Sequence, residues 1–463
     1  MTPALRDYQT AALDALRGSY AAGHQAPLLV APTGSGKTVI FRECARLAQA
    51  RGNATLVVVH RRELVRQASE KLGEAGVEHG IIATGFPPTP GATVQVASVQ
   101  TAIRRDIGSF GFVVADEGHH AITATWRKVI EAQAGARLLG CTATPQRLDG
   151  QGLGRDHGGI FDDLVFGATV AELTKAGWLC PAKVFVAKTK LNLRGVHTIA
   201  GDYNKGELAR AVTAANIAGD AVGEYRKHAD HQPAVAFCVS IEHGEATAAA
   251  FREAGYRAAC VHGGLPALER DRLLAGLASG EIDVLSSCEI LGEGVDIPTI
   301  GCAILLRPTK SLAVYLQQVG RGLRPAPGKR QLVVLDLAGN AITHGLPDED
   351  RHWTLAGAPK RDASSPAGWV CGECECLNSS GAAFCLDCGT PRPHRPREIT
   401  IDSETVLVEL ARRERLATLS YHAFMSRPRS RDELELYRRA HGYKKGWTWH
   451  AAQRQAELFG VTP

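Results

Sequence analysis

The chain has 463 residues, enough for two to four domains, and its 44% apolar and 22% charged shares are those of a soluble globular protein. That composition excludes a largely disordered chain, a collagen-like fibre and a coiled coil. No apolar run approaches the ~20 residues that cross a bilayer, and Met1–Asp7 lack the apolar stretch of a secretory signal, so a cytoplasmic protein with no membrane partner is expected. The net charge is +5, and residues 389–463, with 14 Lys and Arg against 9 Asp and Glu, account for all of it. Such a tail is either a polyanion-binding segment or a solvated helix face.

In chain order, residues 1 to about 170 alternate short runs of Val, Ile and Leu (28–30, 55–59, 94–97, 112–115, 137–140) with helical patterns such as 38–51 and 63–75. This alternation predicts a parallel sheet with helices on both faces. The theme repeats over about 180–345, with strands expected at 234–238, 257–261, 283–287, 302–306 and 332–335. The expected organisation is α/β: one lobe over 1–175, a second over 176–345, a linker at 346–367, a cysteine-rich module at 368–390 and a basic tail at 391–463. In the tail, 404–415 and 432–441 read as helices.

Ala31-Pro32-Thr33-Gly34-Ser35-Gly36-Lys37-Thr38 follows the first strand and opens a helix. It fits G-x-x-x-x-G-K-[ST] apart from Ala31 in the first glycine position. Gly34 and Gly36 let the backbone wrap closely, so that N–H groups, including those of Thr33 and Ser35, can face phosphate oxygens. Lys37 is suited to neutralise β- and γ-phosphates, and Thr38 to ligate Mg²⁺. Asp116-Glu117-Gly118-His119 ends the strand 112–115, and ligands gather at the carboxyl ends of parallel strands. Asp116 is expected to hold Mg²⁺ and Glu117 to orient and deprotonate a water.

These residues resemble a superfamily 2 helicase with a DEAH-type box, and further motifs follow in that family's order. Leu5-Arg6-Asp7-Tyr8-Gln9 resembles the adenine-reading segment, with Gln9 facing the base. His60–Leu64 and Ser98–Thr101 resemble motifs Ia and Ib, which implies that Arg62, Gln100 and Thr101 line the nucleic-acid track. Thr142-Ala143-Thr144-Pro145 resembles motif III, so Thr142, Thr144 and His119 would couple hydrolysis to strand movement, while His120 reads as packing. Residues 236–240 resemble motif IV, implying a nucleic-acid contact at Ser240. Gly292–Asp296 resembles motif V, which places Gly294 and Asp296 at the nucleotide. Gln317–Arg324 resembles motif VI, with Gln317 at the nucleotide and Arg321 and Arg324 on one helical face as guanidinium groups donated from the second lobe. The resemblance covers about residues 1–340 and implies two RecA-like lobes working with ATP and Mg²⁺. The stretch from Leu306 to Asn340 looks like RadD- and XPB-type DNA repair helicases and their prophage relatives, which implies a bacterial or phage-encoded protein. Gly118 departs from the commoner Ala or Cys.

Cys371-Gly372-Glu373-Cys374 and Cys385-Leu386-Asp387-Cys388 form two C-x-x-C knuckles, the ligand set of a structural Zn²⁺. Cys376 is left over and could replace Cys374. Trp369, Asn378 and the spacing resemble a RanBP2-type zinc finger, and a generic zinc ribbon fits as well. From Tyr437 to His450 basic and aromatic residues interleave, as in a single-strand-binding surface or in a small helical module with Trp447 and Trp449 in its core. The expected protein is an ATP-dependent DNA helicase or translocase. Alternatives are an RNA remodeller, suggested by the finger, and a zinc-centred adaptor that recruits a protein partner through the module or tail, with the lobes as a nucleotide switch.

Overall fold

The structure is a computed structural model that describes residues 5–147, 150–187, 193–199, 201–214, 217–288, 297–357, 368–393, 416 and 418–460. The chain divides into two compact units, residues 1–392 and 393–463. In the first unit, β1 (Pro27–Val30), β2 (Thr55–Val59), β3 (His79–Ile82), β4 (Val94–Ser98), β5 (Phe112–Asp116), β6 (Arg137–Thr142) and β7 (Asp163–Phe166) build a seven-stranded sheet. Its order is β3-β4-β2-β5-β6-β1-β7, and every neighbouring pair is parallel. β8 (Ala182–Val186) is followed by a hairpin of β9 (Thr198–Ile199) and β10 (Asp202–Tyr203). Then β11 (Ala234–Phe237), β12 (Ala258–Val261), β13 (Val284–Ser287), β14 (Cys302–Leu305) and β15 (Leu332–Asp336) join β8 in a second parallel sheet of order β12-β13-β11-β14-β15-β8.

Side chains explain the apolar runs. Val57 and Val59 of β2 enter one core with Leu29, Val114 and Leu139, while Leu56 and Val58 enter another with Leu28, Val113 and Leu138. Successive side chains point to opposite faces, and a parallel sheet covered on both needs apolar residues at every position. The second sheet repeats this, with Val235 and Phe237 on one face and Ala234 and Ala236 on the other. The strands expected from the sequence are present, with ends moved by one or two residues. In the two large sheets three were missed, β3, β7 and β8, and all three are edge strands; the short pairs β9–β10 and Gly368–Val370 with Leu377–Ser379 were not expected either. Each of the three edge strands is only partly buried, and a polar residue, His79, Asp163 or Lys183, stands in it.

The first part of the expected linker is a strap between the lobes. Leu346 is buried in the second-lobe core. Arg351 Nη2 donates to Leu346 O at 2.8 Å. Leu355 O accepts from Leu153 N at 2.9 Å and Gly154 N at 3.0 Å, and the Leu355 side chain packs with Leu153 and Phe161 in a first-lobe core. The cysteine-rich module, whose β16 (Gly368–Val370) and β17 (Leu377–Ser379) pair antiparallel, docks on the β8 edge. Cys376 bridges Phe185, Val186 N donates to Glu375 O at 3.2 Å, and Lys183 pairs with Asp387 at 2.9 Å.

In the second unit the helices Tyr421–Phe424, Arg431–Ala440 and Trp447–Phe459 surround Phe424, Met425, Leu434, Tyr437 and Ala451. Ser430 caps the middle helix in a reciprocal box with Glu433. Phe424 stacks on Tyr437 at 3.8 Å, and Tyr437 on Trp447 at 5.6 Å. Trp447 thus joins the core, whereas Trp449 is 60% exposed. The helix expected at 404–415 lies outside the described residues. Among those described, no helix is long and apolar enough to cross a membrane.

Candidate nucleotide site and zinc centre

The loop after β1 turns into the helix Lys37–Gln49. Gly34 and Gly36 have φ of +89° and +83°, a conformation that L side chains rarely adopt. A Cβ at Gly36 would stand 2.6 Å from Gln9 Nε2, so the cradle requires glycine there. Gln9 is buried beside it, its Oε1 accepting from Arg6 N at 3.1 Å. Tyr8 Oη donates to Ser35 O at 2.9 Å, tying the first helix to the loop. Ser35 Oγ turns back to Pro32 O at 2.7 Å, and Thr38 stands in the helix's first turn. Lys37 Nζ donates to Ala31 O at 3.1 Å and Pro32 O at 3.4 Å. Burial pushes its pKa below the usual lysine range, while Glu117 and Asp116 pull it back up.

Asp116 ends β5, and its Oδ1 accepts from Glu117 N at 3.1 Å. Glu117 has φ +52°, a strained position for a non-glycine residue and one that clusters at functional sites. Its Oε2 is buried with no hydrogen-bond partner among the described residues, 3.5 Å from His119 Nδ1. A Cβ at Gly118 would meet Leu28 Cδ1 at 2.8 Å and Cys141 N at 3.3 Å, which accounts for the departure from Ala or Cys. His119 Nδ1 lies 3.0 Å from Thr142 Oγ1, which in turn bonds Thr144 O and N at 3.0 and 3.1 Å. The three residues expected to couple therefore form one hydrogen-bonded chain. The rings of His119, His120 and His60 follow one another at 4.2 and 4.9 Å, joining the His60–Leu64 segment to the acidic box through a residue read as packing.

The helix Leu312–Gly322 of the second lobe lies against this loop. A Cβ at Gly320 would stand 2.6 Å from Thr33 Cβ, and one at Gly34 would stand 3.4 Å from Arg324 Cγ. Arg321, in the last turn, is near enough to lower the pKa of Lys37 by charge repulsion. Arg324 does not share that helical face: the helix ends at Gly322, and Arg324 follows in the turn beyond it. Burial lowers its pKa from the usual arginine range. Lys329, which the sequence reading missed, donates its ammonium to Gly322 O at 2.5 Å and Arg324 O at 2.8 Å. It closes the helix end and sets Arg324. Gln317 is buried, and its Nε2 has no hydrogen-bond partner among the described residues. Gly294 and Asp296 lie outside them.

Of the expected nucleic-acid contacts, Arg62, Gln100 and Thr101 belong to neighbouring first-lobe segments, and Ser240 belongs to the second lobe. Arg62 is exposed, its guanidinium 5.5 Å from the Phe86 ring centroid. Gln100, also exposed, donates to His60 O at 2.9 Å. Thr101 is buried and bonds Ser98. The Ser240 hydroxyl caps the helix Ile241–Glu253 by accepting from His243 N at 3.1 Å.

Cys371, Cys374, Cys385 and Cys388 place their sulfurs within 4.8 Å of one another, with 3.6 Å between Cys371 and Cys388 and 3.5 Å between Cys374 and Cys385. Tetrahedral thiolates about 2.3 Å from a zinc ion stand roughly 3.8 Å apart, so the set fits Zn²⁺. Cys376 is not a member: its sulfur turns to Leu377 O and its backbone meets β8. Asn378 locks the knuckles, donating to Cys376 O at 2.9 Å and accepting from Leu386 N at 2.8 Å. The indole of Trp369 donates to Ala382 O at 3.0 Å.

Two families match the lobes: Type III restriction enzyme, res subunit, over residues 2–147, and Helicase conserved C-terminal domain, over 217–326. A 51.5 kDa protein of a Lactococcus phage is 33% identical over 70% of this chain and 68% of its own. Irc3 of Saccharomyces cerevisiae, described as an ATP-dependent helicase, is 30% identical over 73% of this chain and 52% of its own, so the chain spans about half of that relative. Among solved structures, an HsdR-subunit fragment of a type I restriction enzyme from Vibrio vulnificus superposes with a TM-score of 0.58 at 22% identity. That match covers 78% of this chain and 68% of the fragment, and it shows the shared fold.

Proposed function

Because the chain belongs to the superfamily 2 helicases, we propose that it is an ATP-driven motor on DNA, a helicase or translocase of repair, recombination or phage DNA metabolism. The observation that carries this reading is the contact of the Gly320–Arg324 segment with Thr33 and Gly34, which sets second-lobe guanidinium groups over a first-lobe phosphate loop. ATP held with Mg²⁺ supplies a γ-phosphoryl group whose loss to water releases free energy. Lys37 and the loop N–H groups bind the phosphates, Thr38 and Asp116 hold the metal, and Gln9 and Gln317 contact the nucleotide. The buried Glu117 Oε2 orients the water and takes its proton. Arg321 and Arg324 stabilise the charge that the transition state spreads over the γ-phosphoryl oxygens. The chain His119–Thr142–Thr144 carries the change toward the segments that hold Arg62 and Gln100. The restriction-enzyme family of the first lobe favours DNA over RNA, and the phage relative goes with a cytosolic setting.

The test is ATPase activity with single-stranded DNA, forked DNA and RNA in turn. DNA is expected to stimulate most; preferential stimulation by RNA would favour the remodeller reading. Glu117→Gln is expected to lower turnover by about 10²–10⁴-fold while ATP binding persists. Rapid hydrolysis by that variant would remove Glu117 from its role.

A further inference from the structure

The second unit carries a cleft that the nucleotide chemistry does not use. It lies between the helices Arg431–Ala440 and Trp447–Phe459, and Arg431, Glu435, Arg439, Lys445, Trp449 and Gln455 line it. Its volume of about 840 Å³ is that of a ligand pocket. Residues 418–460 hold eight Lys and Arg against four Asp and Glu, so the surface around it is basic.

Its floor is fixed internally. Glu435 accepts from Arg438 at 2.7 Å, from Arg439 at 3.0 Å and from Thr448 Oγ1 at 2.9 Å. The bonds from Arg438, Arg439 and Thr448 hold its carboxyl well below the usual carboxylate range, so its charge is engaged within the module. Gln455 is likewise engaged, its Oε1 accepting from Arg429 N at 2.9 Å. At the rim the situation reverses. Arg431 and Lys445 are exposed and form no ion pair among the described residues. The Trp449 indole is 60% exposed although Trp447, two residues earlier, is packed into the aromatic stack.

An open indole that shares a cleft with two exposed cations suits a nucleobase with its flanking phosphates. A duplex has no unstacked base to offer, whereas a single strand does. We propose that this cleft binds single-stranded nucleic acid, with a base stacked on Trp449 and phosphates on Arg431 and Lys445. The inference rests on the motor reading for its purpose, because a tethered second contact raises the local concentration of the track. Its geometry is independent of that reading.

The experiment uses the full chain and a short fluorescent oligothymidylate, followed by anisotropy over a range of salt, with an oligouridylate as a second probe. Trp449→Ala is expected to weaken binding about fivefold or more and Trp449→Phe to restore most of it. Removing both cations, as Arg431→Ala with Lys445→Ala, is expected to reduce the slope of log affinity against log salt by about 1.4. ATPase without polynucleotide should be unchanged in all three. Unaltered affinity in Trp449→Ala together with an unaltered slope in the double variant would overturn the proposal, and would leave the cleft to a protein. If no polynucleotide stimulates the wild-type ATPase, the motor reading fails, and the anisotropy comparison still decides the cleft.

Discussion

Glu117 and Gly320 show how single positions tune the site. Glu117 rests in the left-handed region, a strain of order 1–3 kcal/mol. The Asp116 carboxylate that accepts its N–H and the tight packing at Gly118 leave the turn little alternative. Gly320 is required for a different reason: its missing Cβ is the space that Thr33 of the other lobe occupies. Gly320→Ala is therefore expected to lower ATPase kcat at least tenfold, about 1.4 kcal/mol, with little change in the thermal unfolding midpoint. The clash is between lobes rather than within a core. His243 gives a pH dependence. Burial pushes it down to about 4 from the usual 6.5, so the fold requires neutral imidazole. Between pH 6.5 and about 4 the unfolded chain takes up a proton that the folded chain refuses, and stability falls as pH falls, by at most about 1.4 kcal/mol per pH unit. Above pH 6.5 the group has no effect. His243→Gln should flatten that acid limb in unfolding midpoints measured at pH 5 and 7.

At the level of elements, the four-cysteine module acts as an edge cap. β8 ends the second sheet, and an uncovered edge strand presents unpaired backbone groups to other chains. The Glu375–Cys376 turn satisfies part of that edge, and Cys371, Cys376 and Cys385 extend the core beneath Phe185. So short a module has little apolar mass of its own, and a zinc ion on its four thiolates would hold its shape. Stripping zinc with a chelator is expected to lower the unfolding midpoint on the order of 5–10 °C and to promote aggregation through β8, read by light scattering. An unchanged midpoint in metal-free protein would show that the finger is independent of the lobe.

For the whole first unit, the decisive relation is between lobes. Leu346 is fixed in one core and Leu355, nine residues on, packs against the other. The strap can therefore extend no more than ~30 Å, which limits how far the cleft opens. Glu63 and Arg270 meet across the lobes at 3.6 Å, but Glu63 is half exposed, and such a pair is worth at most about 1 kcal/mol. The strap is the stronger restraint. Leu355→Asp is expected to raise KM for ATP several-fold and to lower kcat less, because a wider cleft must close before the arginines reach the loop. An unchanged KM would show that the strap is passive.

Local signals were enough to find the central strands, the phosphate loop, the acidic box and the four cysteines. Strands buried on both faces must be apolar throughout, a phosphate cradle needs its glycines in sequence, and C-x-x-C brings two thiolates to one ion over a few residues. The edge strands left a weaker mark, because their partly exposed positions admit His79, Asp163 and Lys183. Nor could local pattern reveal that Lys329 sets Arg324, that His60 and His120 stack toward the acidic box, that Arg324 leaves its helix, or that Cys376 serves the β8 edge. The histidine rings and the Cys376 contact depend on groups far apart in the chain that only the packing of sheets and lobes brings together, while Lys329 and Arg324 meet across a turn that no periodicity marks.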